Sequence, residues 1–200
     1  MHNTTSSGIL KESRRASGKP WGGAMVQHAF IAWLADLFGK ETMTNFKDSD
    51  EFRDLVMNFE TKMRCVSSQS TNDVCLRIPC KLHEAYVQRS HEDLKTRLRR
   101  LKLDSDVKIP KGDILRVSAD IFRSWFQEPL NQAIHHITDV LAEPAMKDVS
   151  AILLVGELAD CPLVQEAVKV SAGNRNVVIP KEPGFAALKG AVLYGHQLDE

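Results

Sequence analysis

The last fifty residues constrain the possible fold most. The segment Val149–Gly156 is short, apolar and rich in β-branched residues, and it ends in glycine. A helical stretch that begins with proline follows at Pro162–Ala172, and a second apolar run, Val177–Ile179, precedes a helix expected over Phe185–Gly195. In α/β folds, a strand that stops at glycine beside a helix brings backbone close to a nucleotide. This order of segments therefore predicts an α/β fold.

Charge and composition exclude several classes of function. The 200 residues include 26 Lys and Arg and 26 Asp and Glu, so the chain has no net charge. A balanced charge argues against a general nucleic-acid-binding protein. No apolar run approaches the ~20 residues that a membrane span needs, and the N-terminus is too polar for a signal peptide. We therefore expect a cytoplasmic protein with reduced cysteines, and neither nucleic acid nor membrane as a partner.

The remaining sequence predicts a mixture of helices and strands. The expected elements are an edge strand at 8–15, helix 24–38 ending at Gly39, a helix after Asp48 or Ser49, strand 74–79, an exposed helix at 82–101, a loop at 102–112, strand 113–117 and a long helix after Ser118. Pro129 should kink or split the long helix. This pattern predicts an α/β subdomain formed by 1–39 and 113–200, with an inserted helix-rich subdomain at 40–112.

Cysteine and histidine spacing does not predict a metal site. Cys75, Cys80 and His83 lack the paired spacing of zinc ligands. The adjacent His135 and His136 diverge by about 100° on a helix and cannot face one ion together. The common phosphate-loop, zinc-protease and serine-hydrolase motifs are absent from the sequence. We therefore assign no metal ligand and no catalytic residue.

Four ordered stretches carry a family resemblance. They are Ser17–Val26, Asn58–Ser68, Ile152–Gln165 and Ile179–Val192. In order and spacing they resemble the ATPase domain of the 70-kDa heat-shock protein family, and most closely its 12A/12B branch, within the actin-like ATPase superfamily. The resemblance implies lobe II of that ribonuclease H-like fold, with 40–112 as the inserted upper part of the lobe and the remainder as the lower part, which carries the adenosine motif.

Three polar residues in the second stretch are candidate ligand contacts. Glu60, Arg64 and Ser67 stand at i, i+4 and i+7, so they form one stripe on a helix. From the residues alone, the stripe is a solvated pair worth ~0.2–0.5 kcal/mol. The resemblance instead implies contacts with adenine and ribose. Met63 replaces a lysine of the family, and the helical periodicity places it on the core face.

The third and fourth stretches supply three further candidates. The resemblance places Gly156 and Glu157 at two glycines of the adenosine motif and Gly184 in the closing loop near the nucleotide. Gly156 would let backbone approach the ligand. Glu157 would repel phosphate by ~3–4 kcal/mol at 4–6 Å and an effective dielectric of 20, before screening, unless it points to solvent. Asp160 stands where many relatives carry an arginine over adenine.

The resemblance also implies missing machinery. The family's N-terminal lobe, with its first phosphate loop, metal-organising carboxylate and catalytic lysine, has no counterpart in this sequence. The second phosphate loop would precede Gly8, and the peptide-binding domain is absent as well. We therefore expect ATP or ADP binding to be weak or lost, and Mg²⁺ to bind only with a complete site.

Two functional hypotheses follow. In the first, the chain is a partial nucleotide-binding domain of a chaperone-like, stress-response ATP-binding protein and is inactive as an ATPase alone. In the alternative, it is a non-enzymatic pseudo-ATPase or interaction module. The helix at 82–101 would then dock a co-chaperone or exchange factor. In both cases, surface that lobe I would cover is expected to favour self-association.

Overall fold

The computed structural model describes residues 2–4, 10–12, 15, 17–18, 21–111 and 113–197. Its strands are β1 (His2–Thr4), β2 (Leu10–Glu12), β3 (Val74–Arg77), β4 (Val107–Lys111), β5 (Ile114–Val117), β6 (Ala151–Leu153) and β7 (Asn176–Val178). Its helices are α1 (Gly23–Phe38), α2 (Lys40–Phe46), α3 (Asp50–Met63), α4 (Cys80–Ser90), α5 (Leu94–Arg100), α6 (Ala119–Ala142), α7 (Pro162–Ser171) and α8 (Ala186–Gln197). Three short 3-10 helices lie at Pro144–Met146, Glu157–Asp160 and Pro183–Phe185. The mixed α/β class expected from the sequence is confirmed.

The two C-terminal strands pair as the sequence suggests. Strands β6 and β7 are parallel, with Ile152 opposite Val177, and α7 forms the crossover between them. Parallel neighbours need such a crossover because a tight turn can join only antiparallel strands. Each strand covers three residues. Strand β6 is therefore shorter than the apolar run Val149–Gly156 that predicted it, whereas β7 has the length of its run and begins one residue earlier.

A second sheet contains β3, β5 and β4, in that order, and is antiparallel throughout. The central strand β5 contributes the buried residues Leu115 and Val117, and Leu76 of β3 is buried opposite Leu115. This sheet crosses the boundary expected after residue 112, because β5 pairs with two strands of the expected insert. The two-subdomain division itself stays a prediction.

The helix boundaries expected near residues 39 and 49 have clear local causes. Gly39 has a φ of 90°, which favours glycine, and it separates α1 from α2. The Ser49 hydroxyl accepts a hydrogen bond from the Phe52 backbone N–H at 3.2 Å and caps α3. Asp50 and Glu51 in the first turn add favourable charge at the positive end of the helix dipole.

An aromatic cluster joins helices α1, α3 and α6. The rings of Phe30 and Phe59 stack with centroids 4.1 Å apart and an interplanar angle of 9°. Trp125 lies 5.0 Å from Phe30 and 5.7 Å from Phe59, and Phe122 lies 5.5 Å from Phe59. All four rings are buried. This cluster fixes the position of α3, whose last turn carries candidate site residues.

The expectation of one exposed helix at 82–101 is wrong, because this segment forms two helices, α4 and α5. His91 adopts a left-handed conformation with φ of 52° and ends α4, and Asp93 caps α5 by accepting from the Thr96 backbone N–H at 3.0 Å. The two helices also bury one apolar stripe, formed by Leu82, Tyr86, Leu94 and Leu98.

Two other expectations differ from the structure. The loop expected at 102–112 contains strand β4, whose Val107 is buried because it pairs with β5. Helix α6 contains Pro129 and runs unbroken from Ala119 to Ala142, so the proline does not split it, and the alternative of a kink stays a prediction.

The described N-terminal strands β1 and β2 form an antiparallel pair. Of the edge strand expected at 8–15, Leu10–Glu12 is observed as β2, while residues 8, 9, 13 and 14 lie outside the described residues. In the described part of the chain, the helices are too short or too polar to cross a bilayer.

Candidate functional site

The end of helix α3 meets the turn that follows strand β6. Arg64 follows the last residue of α3, and its Nη2 donates to Oε1 of Glu157 at 2.9 Å. The two side chains are 49% and 52% exposed. An ion pair with that exposure contributes ~0.2–1 kcal/mol. The pair nevertheless brings together two of the stretches that carry the family resemblance.

Glu60 belongs to the same charged cluster. Burial and the negative charge of Glu157 raise the pKa of Glu60, while the positive charge of Arg64 acts in the opposite direction. Glu60 is therefore close enough to feel both partners of the ion pair. Two carboxylates and one guanidinium form this cluster, so its summed charge is negative when both carboxylates are ionised.

Gly156, three residues after the end of β6, is held against the closing turn, which is the 3-10 helix at Pro183–Phe185. Gly156 has a φ of 99°, and its backbone N–H donates to the Pro183 carbonyl at 2.9 Å. A Cβ atom at Gly184 would lie 3.4 Å from Oδ2 of Asp160 and 3.8 Å from Cα of Glu157. Gly184 therefore lies against the 3-10 helix at Glu157–Asp160, at ordinary packing distance. The packing of the two 3-10 helices places Gly156, Glu157 and Gly184 beside one another.

The sixth candidate, Ser67, has different contacts. Its hydroxyl lies 3.1 Å from the hydroxyl of Ser70, and its backbone N–H donates to the same oxygen at 3.0 Å. The next residue, Ser68, donates its backbone N–H to Glu166 of α7 at 2.9 Å, which lowers the pKa of that carboxyl. Four candidates are thus linked by contacts, namely Arg64, Gly156, Glu157 and Gly184. Glu60 lies within electrostatic reach of Arg64 and Glu157, and Ser67 lies in the anchored segment beyond them.

Met63 and Asp160, which stand where relatives carry a lysine and an arginine, lie in different environments. Met63 is 3% exposed, which confirms its predicted position on the core face. Its Cε would lie 4.0 Å from a Cβ atom at Gly23, so it packs near the start of α1. Asp160 is half-buried and faces Gly184. Neither position supplies a cation to the cluster.

Sequence reasoning missed the Arg64–Glu157 contact. It offered repulsion of phosphate or a solvent-facing position for Glu157, whereas the carboxylate is half exposed and paired with a guanidinium. No local signal could have found this contact, since the two residues are 93 positions apart. The accepting carbonyl of Pro183 was missed for the same reason.

The cysteines do not add a site. Cys65, Cys75 and Cys80 are exposed thiols, and Cys161 is buried, which raises its pKa. Across the described residues, no group of three or more His, Cys, Asp and Glu side chains is placed to hold a metal ion.

Fold and site together define a mixed α/β chain in which the glycine-containing turn after a parallel strand meets the end of an amphipathic helix. The chain is 31% identical over 191 residues to heat shock 70 kDa protein 12A of Mus musculus and to that of Homo sapiens. It is 32% identical over 192 residues to heat shock 70 kDa protein 12B of Homo sapiens. These similarities confirm the resemblance to the 12A/12B branch.

The similarity covers 94% of this chain and 28% of each relative. The chain therefore spans little more than a quarter of the length of these curated relatives. No family model matches the chain. No solved structure matches it either.

Proposed function

We propose that the chain is the lobe II portion of the nucleotide-binding domain of a cytoplasmic, chaperone-like protein of the 70-kDa heat-shock type. In this proposal it keeps weak adenosine recognition and does not hydrolyse ATP by itself. The observation that carries the proposal is the contact between Arg64 and Glu157. It joins the stretch implied to face adenine with the stretch implied to form the adenosine motif.

The chemistry of the cluster suits a nucleoside better than a nucleotide. A planar guanidinium such as that of Arg64 stacks on aromatic faces. Gly156 and Gly184 leave backbone uncovered where a ligand would approach. Glu60, Glu157 and Asp160 place negative charge beside the same surface, which opposes phosphate. Phosphoryl transfer depends mainly on metal and phosphate positioning, and the six candidates supply neither.

Calorimetry with adenosine and with Mg-ATP tests this proposal. We expect adenosine to bind no tighter than about 1 mM, equivalent to ~4 kcal/mol, and at least as well as ATP. Arg64→Ala should weaken adenosine binding, because it removes the stacking group. Arg89→Ala is the matched control, since Arg89 forms another exposed pair, with Glu41. Tight ATP binding or ATP turnover by the unmodified chain would contradict the proposal.

The second candidate function is a non-enzymatic pseudo-ATPase or interaction module. The buried position of Met63 and the pairing of Arg64 favour it, because both reduce the cations offered to a ligand. Helices α4 and α5 would form the surface for a co-chaperone or exchange factor. Arg97 holds α5 on the end of α1 by donating to the carbonyls of Leu37 at 3.1 Å and Asp36 at 2.6 Å. The absence of adenosine binding, with partner binding that α4 substitutions abolish, would favour this function.

A further inference from the structure

We propose that the Arg64–Glu157 pair is a clasp that makes the site select an uncharged nucleoside over a nucleotide, with Glu157 as the specificity-determining residue. The inference rests on the proposed function, because it concerns the ligand of the same site. Its starting point is that the guanidinium best suited to a ligand is already bonded to a carboxylate at 2.9 Å.

The backbone around Glu157 is fixed on both sides. Before it, the Gly156 N–H donates to the Pro183 carbonyl at 2.9 Å. After it, the Cys161 N–H donates to the Leu158 carbonyl at 3.0 Å, and Cys161 is fully buried. The closing turn also packs against Glu157, as the position of Gly184 shows. The carboxylate is therefore held at the junction of the two 3-10 helices.

The segment after Arg64 is anchored to helix α7 as well. The Val66 carbonyl accepts from the Leu163 N–H at 3.0 Å and from the Cys161 thiol at 3.6 Å. The Ser68 N–H donates to Glu166. Both partners of the clasp thus extend from anchored backbone, so the pair forms without ordering either segment. The entropy cost of the pair is then confined to the two side chains.

The clasp affects neutral and anionic ligands differently. A neutral nucleoside that stacks on Arg64 needs at most the opening of one exposed pair. A nucleotide meets the same pair and also the carboxylates of Glu60, Glu157 and Asp160 near its phosphates. Removing the charge of Glu157 therefore helps both ligands, and it helps the nucleotide more. If Glu157 acted by phosphate repulsion alone, its neutralisation would leave adenosine affinity unchanged.

Glu157→Gln tests the clasp because it removes the charge and keeps the side-chain shape. We expect adenosine affinity to rise about two- to fivefold, which corresponds to loss of one exposed pair. ATP affinity should rise about tenfold or more, because repulsion between like charges is also removed. Calorimetry with both ligands on both proteins gives the two ratios. The far-ultraviolet circular dichroism of each protein establishes that it is folded.

Two further variants make the test specific. Glu41→Gln breaks another exposed Glu–Arg pair, on α2 and α4, and should change neither affinity. Arg64→Lys keeps the charge and loses the planar group, so adenosine should bind more weakly while the preference for adenosine over ATP persists. Loss of that preference in Arg64→Lys would overturn the clasp.

The remaining outcomes separate the two proposals. Adenosine binding by the unmodified chain, with the same adenosine affinity in Glu157→Gln, would overturn the clasp and leave the proposed function standing. A lack of adenosine binding by every variant would overturn both. A rise in ATP affinity without a rise in adenosine affinity would assign Glu157 to repulsion alone and would also overturn the clasp.

Discussion

At the scale of single residues, Glu60 links stability to the chemistry of the site. Burial raises its pKa most, the charge of Glu157 raises it further, and Arg64 opposes both. A carboxyl whose pKa is raised on folding favours the folded state when protonated. Its contribution is therefore fully present below the unfolded pKa and is lost as pH rises through the folded pKa.

Glu60→Gln should therefore be more stable than the unmodified chain above the folded pKa of Glu60. We expect a gain below about 0.5 kcal/mol, because the site is close to the surface. The gain should vanish well below the ordinary pKa of 4.5, where Glu60 is protonated in both states. Urea unfolding between pH 3.5 and pH 7 measures this. A gain in stability that persists unchanged at pH 3.5 would contradict a raised pKa of Glu60 in the folded state.

Glu92→Gln is a control for which the expected change in stability has the opposite sign. Hydrogen bonds from Arg100 and Tyr86 lower the pKa of Glu92, so its contribution is present above the unfolded pKa and is lost as pH falls through the folded pKa. We expect Glu92→Gln to destabilise the protein at neutral pH and to have no effect at the acid end. The same urea series compares the two variants directly.

At the scale of helices and strands, the aromatic cluster holds the site-bearing helix in place. Phe59 touches rings from α1 and α6, so its side chain connects three helices. Its complete burial means that truncation would leave a cavity as well as lose contacts. The position of Glu60 and Arg64 thus depends on packing on the opposite side of α3.

Phe59→Ala should lower the free energy of unfolding by about 3–5 kcal/mol. Phe59→Leu should cause an intermediate loss, which keeps the effect measurable if the alanine variant does not fold. Phe185→Ala is the matched control, because Phe185 is 58% exposed and should change stability by less than about 0.5 kcal/mol. Guanidinium denaturation compares the three variants, and equal losses at the two positions would count against this packing.

The elements that sequence predicted well carry their own local signals. Helix α3 has a regular apolar stripe and a Ser49 cap, and β6 and β7 are short β-branched runs. Strand β4 was missed because Pro110 and its lysines disfavour strands, yet an edge strand tolerates them when a neighbour supplies the hydrogen bonds. The break at His91 was missed because the apolar positions continue across it and a left-handed residue is not visible in periodicity.

The site, too, was predictable only where local sequence signals determine the structure. The spacing of Glu60 and Arg64 follows from helical geometry, so their shared face was predictable. The resemblance supplied Gly156 and Gly184 as candidates. The contact of Arg64 with Glu157 depends on how α3 packs against the β6 turn, and sequence spacing contains no such information.

At the scale of the whole molecule, the C-terminal unit exposes much apolar surface. The exposed residues include Leu153, Val155, Val178, Phe185, Leu188, Val192, Leu193 and Tyr194. Leu153 belongs to β6 and Val178 to β7, Val155 follows β6, and the other five lie in the segment Pro183–Gln197 that contains α8. Large exposed apolar patches commonly mark association surfaces.

We therefore expect concentration-dependent self-association, and we expect Leu188→Lys combined with Leu193→Lys to reduce it. Two cations on α8 would have to be desolvated in an apolar contact, which opposes association. Sedimentation velocity over a range of concentrations measures the effect. Val87→Lys, on the exposed side of α4, is the control and should leave association unchanged. A strictly monomeric unmodified chain at high concentration would contradict this expectation.

The joining of α1, α3 and α6 by one aromatic cluster also sets an order of events during translation. Helix α1 leaves the ribosome first, with Phe30 and Leu34 needing burial. Trp125 and Phe122, which contact this cluster, emerge only with α6. The nascent chain therefore carries an uncovered apolar helix from the completion of α1 until α6 emerges, which exposes it to aggregation.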